Sequence, residues 1–155
     1  MISIKCPDIW NKKDDSHALF LGGGISSCPI WQEEMTELLK PTNLILLNPR
    51  RDKFDMNDPK ATEYQIKWEY EHLQKATARM FWFCHETLCP ITLFELGKWC
   101  QKGDPLFVGA HPEYKRKIDL HVQLGLITPA HVVSSSLKEL AERICNWSKA
   151  NERSH

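Results

Sequence analysis

Ala78-Arg-Met-Phe-Trp-Phe83 and the segment soon after it, Glu86-Thr-Leu-Cys-Pro-Ile-Thr-Leu-Phe-Glu-Leu-Gly-Lys-Trp99, read as a β-strand that leads into an α-helix. The first run is six residues long and almost wholly apolar, which is typical of a strand buried on both faces of a sheet. We expect the helix to begin at Pro90, because proline is tolerated in the first turn, where its missing N–H would have no partner. A strand followed directly by a helix is the repeating unit of an α/β fold.

The same alternation continues on both sides of this unit. Apolar runs predict strands over residues 18–21, 43–47, 78–83, 105–109 and 132–133, and helical patterns predict helices over 30–40, 60–76, 90–101, 116–123 and 137–148. Since crossovers between parallel strands are right-handed and short, we predict a doubly wound, flavodoxin-like or Rossmann-like α/β fold. Its five-stranded parallel sheet carries helices on both faces. Residues 1–155 form a single domain in this interpretation, with residues 1–16 as an irregular N-terminal segment.

Composition narrows the classes of partner. Twenty basic residues balance twenty acidic ones, so no net field favours nucleic acid or an anionic membrane. No apolar run approaches the roughly 20 residues that a membrane span requires. The N-terminus lacks the charged and apolar regions of a secretory signal. We therefore expect a cytoplasmic protein that binds neither nucleic acid nor a membrane.

Cysteine and histidine spacing predicts no metal site. The six cysteines include no CxxC pair, which argues against a zinc ribbon and a redox dithiol, and the seven histidines show no HxxxH or HxH cluster. Cys84 lies in an apolar run and reads as a small buried hydrophobe. Cys89 precedes a helix, where a thiolate would be favoured, but no partner for a nucleophilic cysteine can be assigned from sequence.

The predicted fold indicates where a ligand would bind. In open α/β sheets, ligands lie outside the carboxyl ends of the strands, at the switch in strand order. Those ends fall in the loops 22–26, 48–51, 84–89 and 109–114. Glu95 is the one carboxylate in the otherwise apolar helix after the third of these loops. It either faces solvent or serves as a nucleophile or proton carrier whose pKa is set by its neighbours.

A second carboxylate is expected near the same cleft. On a helical wheel, Ile66, Tyr70, Leu73 and Ala76 define the inward arc of the helix 60–76, and Glu69 falls inside it. An inward acid needs a partner, because an unpaired buried charge is costly. Glu69 is therefore either half of a structural ion pair with an arginine or a second acid of the cleft. In the second interpretation, Gln65 and His72 form a polar stripe beside it.

Two further loops offer binding groups. Gly22-Gly23-Gly24 allows backbone N–H groups to approach a sugar or phosphate, although the run matches neither GxGxxG nor a P-loop, and a tight turn explains it equally well. Asn48-Pro-Arg-Arg51, and Arg50 in particular, suits a phosphate or carboxylate clamp. The alternative is a solvated basic loop paired with Asp52 and Asp55.

Two carboxylates in one cleft suit cleavage of a glycosidic bond. One carboxylate attacks the anomeric carbon while the other manages the proton of the leaving group, and a separation of about 5–5.5 Å goes with retention through a covalent glycosyl-enzyme. No metal or organic cofactor is needed for this chemistry. Two such carboxylates indicate a reaction class but do not select the sugar.

Residues 18–147 resemble the nucleoside 2-deoxyribosyltransferase-like family. The motifs that carry the resemblance are Phe20-Leu-Gly-Gly-Gly-Ile-Ser26, Leu47-Asn-Pro-Arg-Arg51, Trp68-Glu-Tyr-Glu-His-Leu73, Phe83 to Gly97, and Val108-Gly-Ala-His-Pro-Glu-Tyr114 with Asp119 and Gln123. The Phe-Glu-Leu-Gly element at 94–97 is the most specific of them. The family has the fold inferred above, and its members transfer 2-deoxyribose between bases or hydrolyse the N-glycosidic bond of deoxynucleosides or their 5′-monophosphates.

The resemblance assigns roles to individual residues. The family nucleophile falls on Glu95, and an acid that serves the base or the sugar falls on Glu69. Gly22, Gly23 and Asn48 would line the sugar pocket, and Asp119 would contribute from the same or an adjacent subunit.

The function expected on these grounds is cleavage or transfer of the (deoxy)ribosyl group of a nucleoside or nucleoside 5′-monophosphate. Water as acceptor makes the enzyme a hydrolase, and a second base makes it a transferase. Active sites in the family are commonly completed by a neighbouring subunit, which implies a homodimer or larger homo-oligomer. The alternative, from a different class, is a non-catalytic nucleotide-binding sensor or interaction module on the same fold.

Overall fold

In the computed structural model, which describes residues 1–12, 16–53 and 57–152, six strands and five helices alternate for most of the chain. The strands are β1 (Ile2–Lys5), β2 (Ala18–Gly23), β3 (Ile45–Asn48), β4 (Ala78–Phe83), β5 (Leu106–Ala110) and β6 (Val133–Ser134). The helices are α1 (Trp31–Leu38), α2 (Pro59–Lys75), α3 (Pro90–Trp99), α4 (Lys117–Ile127) and α5 (Leu137–Glu152). All strand pairs are parallel, in the order β1-β3-β2-β4-β5-β6. The doubly wound α/β prediction is confirmed.

The strand count of five was wrong, and so was the irregular assignment of the whole segment 1–16. Strand β1 lies in that segment and pairs with β3, from Ile2 opposite Ile45 to Lys5 opposite Asn48. It is four residues long, lies at the edge of the sheet and is only partly buried. A short edge strand needs no continuous apolar run, so the pattern used for the central strands could not find it.

Helices cover both faces of the sheet. One hydrophobic cluster joins α1 and α5 to the sheet through Met35, Leu140 and Ile144. A second cluster, on the other face, includes Trp68 from α2, Leu96 from α3 and Leu120 from α4. Helices α2, α3 and α4 therefore form one layer, and α1 and α5 form the other.

The buried face of α2 differs from the predicted arc. Ile66 and Tyr70 are exposed, whereas Trp68, His72 and Leu73 are buried. The imidazole of His72 stacks on Trp68 with ring centroids 3.8 Å apart, and its Nε2 accepts a hydrogen bond from the backbone N–H of Trp10. The aromatic Trp68 and the satisfied His72 thus replace aliphatic residues on the inward face, which a wheel scored by hydrophobicity alone cannot anticipate.

The central strand β4 leads directly into the functional region. All six of its residues are buried, and it pairs with both β2 and β5. The strand order reverses between β2 and β4, because the chain runs from β2 outward to β3 and then crosses back to β4. The loops after β2 and β4 therefore meet at the switch point, where ligands bind in this class of fold. None of the helices in the described residues combines the length and hydrophobicity needed to cross a membrane.

Candidate active site

A cavity of about 430 Å³ opens at the switch point between β2 and β4. Its walls come from the end of β2 and the loop after it, from the segment after β3, from α2, and from the start of α3. Glu69 of α2 and Glu95 of α3 both line it. Two carboxylates that lie 26 positions apart in sequence therefore share one concave site, as the doubly wound topology predicts.

Glu69 is held by a chain of hydrogen bonds. The Nε2 amide of Gln65, one turn earlier on α2, donates to Oε1 of Glu69 at 2.7 Å and to the carbonyl of Pro49 at 2.7 Å. The Oε1 of Gln65 in turn accepts a hydrogen bond from the thiol of Cys6 at 3.2 Å. Every polar atom of the Gln65 side chain is engaged, so Glu69 is fixed in orientation before any ligand arrives.

Both carboxyl groups are shifted toward the protonated form. Burial raises the pKa of Glu95 to about 8, with the negative charge of Glu69 adding to the shift and the ammonium of Lys98 opposing it. Burial also raises the pKa of Glu69, and the hydrogen bond from Gln65 opposes that shift. Neighbouring acids in a desolvated site resist full ionisation. The pair can therefore share one proton near neutral pH. That proton lies on Glu95 in the free protein, and it must pass to Glu69 before Glu95 can act as a nucleophile and Glu69 as a proton donor.

The raised pKa of Glu95 has a consequence for stability that is independent of any activity. Unfolded Glu95 ionises near its ordinary pKa of 4.5, whereas the folded residue keeps its proton to about 8. Stability is therefore lost as pH rises through this window. We expect the free energy of unfolding of Glu95→Gln, relative to that of wild type, to rise by on the order of 2 kcal/mol as the pH increases through this window. This figure allows for solvent screening.

Urea unfolding of both proteins at several pH values from about 4.5 to 8 measures this difference. Glu33→Gln, on the exposed side of α1, serves as the control for loss of a carboxylate. A free-energy difference between Glu95→Gln and wild type that stays constant with pH would contradict the raised pKa.

Two of the predicted sugar-pocket residues, Gly22 and Gly23, line the cavity. They end strand β2 rather than forming a loop. A Cβ on Gly22 would lie 2.5 Å from the ring of Phe81, and one on Gly23 would lie 2.4 Å from the ring of Trp31. Glycine is thus required here by close packing beneath the cavity floor, in addition to any approach of a ligand.

Asn48 and Arg50 lie outside this cavity. Both line a smaller hollow of about 250 Å³ on the other side of the β3 end. The guanidinium of Arg50 donates to the carbonyls of Pro29 and Cys28 and to the side chain of Gln32, and the Oδ1 of Asn48 accepts from the backbone N–H of Arg50. Arg50 therefore holds the segment before α1 in place through hydrogen bonds within its own chain.

Arg51 is the arginine of this motif that reaches the main cavity. Pro49 and Arg51 line the main cavity, whereas Asn48 and Arg50 line only the smaller hollow, which Arg51 also borders. Because the two arginines are adjacent in a loop, no sequence signal selects Arg51. Of the two acids set against this basic loop, Asp52 pairs with Lys5 at 2.7 Å, and Asp55 lies outside the described residues.

Asp119 lies in the first turn of α4 and does not line the cavity of its own chain. Its carboxylate is 3.6 Å from the guanidinium of Arg116, and the side chain is about half exposed. A contribution from Asp119 to the site within one chain therefore finds no support in the described residues, and a contribution to a neighbouring subunit stays a prediction.

The cysteines depart from the expectation. Cys84 is bonded to Cys28 in a disulfide, rather than being an isolated buried hydrophobe. Cys89 lines the cavity, and its sulfur lies within 4.8 Å of both. Sequence spacing concealed this cluster because the three residues belong to the loop after β2, the end of β4 and the residue before α3.

Two groups in the described part of the chain bring candidate metal ligands within 4.8 Å of one another, although in the first of them the Cys28–Cys84 disulfide leaves Cys89 as the one free thiol. One is the cluster of Cys28, Cys84 and Cys89, and the other comprises His85, His111 and Glu113 beyond the ends of β4 and β5. The Nδ1 of His111 accepts the backbone N–H of Glu113, which leaves the proton on Nε2 in the neutral ring. Neither group supplies a carboxylate of the cavity, so the Glu69–Glu95 pair does not depend on them.

Comparison with known proteins points in the same direction as this geometry. A family model described as nucleoside 2-deoxyribosyltransferase like matches residues 16–114, which is more than half of the chain and includes both cavity carboxylates. A comparison with curated proteins found no match. The family indicates glycosyl transfer involving a small-molecule nucleoside. The chain belongs to the nucleoside 2-deoxyribosyltransferase-like family.

Proposed function

We propose that this protein is an N-glycosidic bond enzyme that cleaves or transfers the (deoxy)ribosyl group of a nucleoside or nucleoside 5′-monophosphate. The observation that carries the proposal is the convergence of Glu69 and Glu95 in one cavity, with burial raising the pKa of both. A structural ion pair would place a cation on Glu69, which instead receives its hydrogen bond from a neutral amide.

Glu95 is the nucleophile in this mechanism. Its carboxylate attacks C1′ as the sugar gains oxocarbenium character, and the bond from C1′ to the base nitrogen breaks. The product is a covalent glycosyl-enzyme ester on Glu95. Because α3 begins at Pro90 beside the cavity and Glu95 lies in its second turn, the carboxyl group sits on a rigid element.

Glu69 handles the proton of the departing base. In the first step it donates a proton to the base, which leaves as a neutral molecule. In the second step the same carboxylate takes a proton from water, for hydrolysis, or from an incoming base, for transfer. The hydrogen bond from Gln65 keeps one oxygen of Glu69 occupied, so the other oxygen is the one available to the substrate.

Arg51 supports the inclusion of monophosphates among the substrates. Arg51 lines the same cavity as the two acids, and guanidinium groups recognise phosphate by paired hydrogen bonds. Ser26, Ser27 and Thr87 also line the cavity and add hydroxyl groups that suit a sugar or phosphate. The apolar remainder of the wall, which includes Phe20 and Ile91, suits the face of a base.

Release of free base tests the proposal. The protein is incubated with deoxynucleosides, ribonucleosides and the monophosphates of each, and free base is followed by chromatography, with a second base added in one arm. Base release in water identifies a hydrolase, and release that requires the second base identifies a transferase. Binding of a nucleotide without base release in any arm would contradict the proposal and favour a sensor.

We further propose that the protein is a homodimer or larger homo-oligomer whose contact involves the outer surfaces of α2, α3 and α4. Nine large apolar side chains are exposed on these three helices, whereas α1 and α5, which are fully described, expose none. They are Tyr64, Ile66, Tyr70, Ile91, Phe94, Ile118, Val122, Leu126 and Ile127. Clustering of this kind marks interaction surfaces. Ile91 also lines the cavity, so a partner on this layer would close the mouth of the site.

Charged substitutions on α4 should dissociate this assembly. Ile118 and Leu126 are each 79% exposed and lie two turns apart on the same side of the helix. We expect the double variant Ile118→Glu with Leu126→Glu to shift wild-type oligomers to monomers, as measured by light scattering after size exclusion.

Ile30→Glu is the matched control, because Ile30 is 53% exposed but precedes α1 on the opposite layer. A wild-type protein that is monomeric at tens of micromolar, or a double variant that keeps the wild-type mass, would contradict this surface.

A further inference from the structure

Three cysteine sulfurs meet at the wall of the cavity. Cys28 and Cys84 form a disulfide, and the sulfur of Cys89 lies 3.7 Å from that of Cys84. The three side chains are 9%, 3% and 4% exposed. No other described cysteine has a second sulfur beside it: Cys6 contacts Gln65, Cys100 directly follows α3, and Cys145 lies on α5.

The surrounding backbone is shaped to admit all three sulfurs. A Cβ on Gly24 would lie 2.2 Å from the sulfur of Cys28, 2.9 Å from that of Cys89 and 3.0 Å from that of Cys84. Only glycine leaves room for the cluster at this position. Cys89 itself adopts a left-handed backbone conformation, with φ of 49°, immediately before α3. This conformation, which is uncommon outside glycine, turns the chain into the helix beside the other two sulfurs.

We propose that Cys28, Cys84 and Cys89 form a thiol–disulfide exchange site in which Cys89 competes with Cys28 for Cys84. The Cys89 thiol first gives its proton to solvent. The resulting thiolate attacks the sulfur of Cys84, a Cys84–Cys89 bond forms, and the Cys28–Cys84 bond breaks. Cys28 leaves as a thiolate and takes a proton from solvent. The step involves no net oxidation, so it needs no external oxidant.

Cys84 is common to both bonds because its sulfur is bonded to that of Cys28 and is also in contact with that of Cys89. Cys89 is already in contact with it and requires no large movement to react. Burial raises the pKa of the Cys89 thiol, and the charge of Glu86 adds to this, while hydrogen bonds from the backbone of Cys84 and Gly24 favour the thiolate. The exchange is therefore expected to be slow at neutral pH rather than blocked.

Exchange would change the wall of the cavity. The Cys28–Cys84 bond ties the loop after β2, whose residues 24–27 line the cavity, to the end of β4. The alternative bond frees that loop and ties the end of β4 to the residue that precedes α3, the helix of Glu95. The inference concerns the sulfurs alone and does not depend on the proposed function.

Disulfide mapping by trypsin distinguishes the two bonds. Cleavage after lysine and arginine, but not before Pro41, places Cys28 in the peptide 14–50 and both Cys84 and Cys89 in the peptide 80–98. A Cys28–Cys84 bond joins the two peptides. A Cys84–Cys89 bond leaves them separate and lowers the mass of peptide 80–98 by two hydrogens. Cys6, Cys100 and Cys145 fall in other peptides.

The experiment equilibrates the folded protein in mixtures of reduced and oxidised glutathione, then quenches with acid and alkylates the free thiols. In wild type we expect both linkages. Cys28→Ser should give no joined peptides and should contain the Cys84–Cys89 bond within peptide 80–98. Cys89→Ser should contain only the Cys28–Cys84 bond, which joins the two peptides. Cys145→Ser is the control and should match wild type.

Wild-type Cys84 found only with Cys28 at every glutathione ratio would overturn the proposal. A folded Cys28→Ser whose Cys84 and Cys89 are both alkylated throughout would also overturn it. Circular dichroism establishes whether Cys28→Ser is folded. If it is not, the wild-type map alone decides, because it reports both bonds without any substitution.

Discussion

Replacing Glu95 with glutamine should abolish release of the base from whichever substrate the wild-type protein uses. We expect kcat/KM to fall by about four orders of magnitude or more, the scale seen when a nucleophile is removed. Glutamine keeps the size and much of the hydrogen bonding of the side chain but cannot form the ester with C1′. Chromatography of free base under single-turnover conditions measures the loss directly.

The matched control for this variant is Glu86→Gln. Glu86 is exposed, lies nine residues before Glu95 and contacts His85 rather than the cavity. It should keep activity close to wild type. If Glu95→Gln retained more than about a tenth of wild-type kcat/KM, Glu95 would not be the nucleophile, whatever its place in the cavity.

Glu69→Gln should lower kcat/KM by about two to four orders of magnitude, the usual contribution of a general acid. The loss should depend on the leaving group. A natural base needs a proton as it departs, whereas a weakly basic leaving group such as nitrophenolate does not. We therefore expect the variant to approach wild-type rates on a nitrophenyl deoxyriboside and to fall far below them on a nucleoside.

Glu71→Gln provides the control on the same helix. Glu71 lies two residues further along α2, is exposed, and has an oxygen 3.9 Å from the ammonium of Lys75. If Glu69→Gln and Glu71→Gln lowered kcat/KM equally, Glu69 would have only a structural role. If Glu69→Gln lowered kcat/KM by the same factor for both leaving groups, Glu69 would not be the proton donor.

Much of the fold follows from the sequence because the central strands are buried on both faces. Runs such as Ala78–Phe83 have no polar face to obscure them, and each is followed by a helix with recognisable start signals. Strand β1 was not predicted, because a strand at the edge of a sheet needs little apolar surface. The inward face of α2 was misjudged for a related reason, since His72 is buried with its polar atoms satisfied while Ile66 and Tyr70 are exposed.

The candidate site was predictable where topology alone decides it. Glu69 and Glu95 line one cavity because α2 and α3 both border the switch point at the carboxyl ends of the strands. Arg51 was missed in favour of Arg50, since the choice depends on which side of the chain each residue faces after β3 ends. The cysteine cluster was missed because Cys28 lies 56 positions from Cys84, and no local spacing records a contact of that kind.

The most direct test of the central claim is to trap the glycosyl-enzyme. A nucleoside with fluorine at C2′ slows both chemical steps by opposing oxocarbenium character, and a good leaving group then lets the ester accumulate. After an acid quench, digestion and fragmentation of peptide 80–98 locate the adduct, because that peptide contains both Glu86 and Glu95. We predict one added fluorinated sugar on Glu95. Stoichiometric release of base with no sugar on Glu95, or with the sugar on another residue, would contradict it.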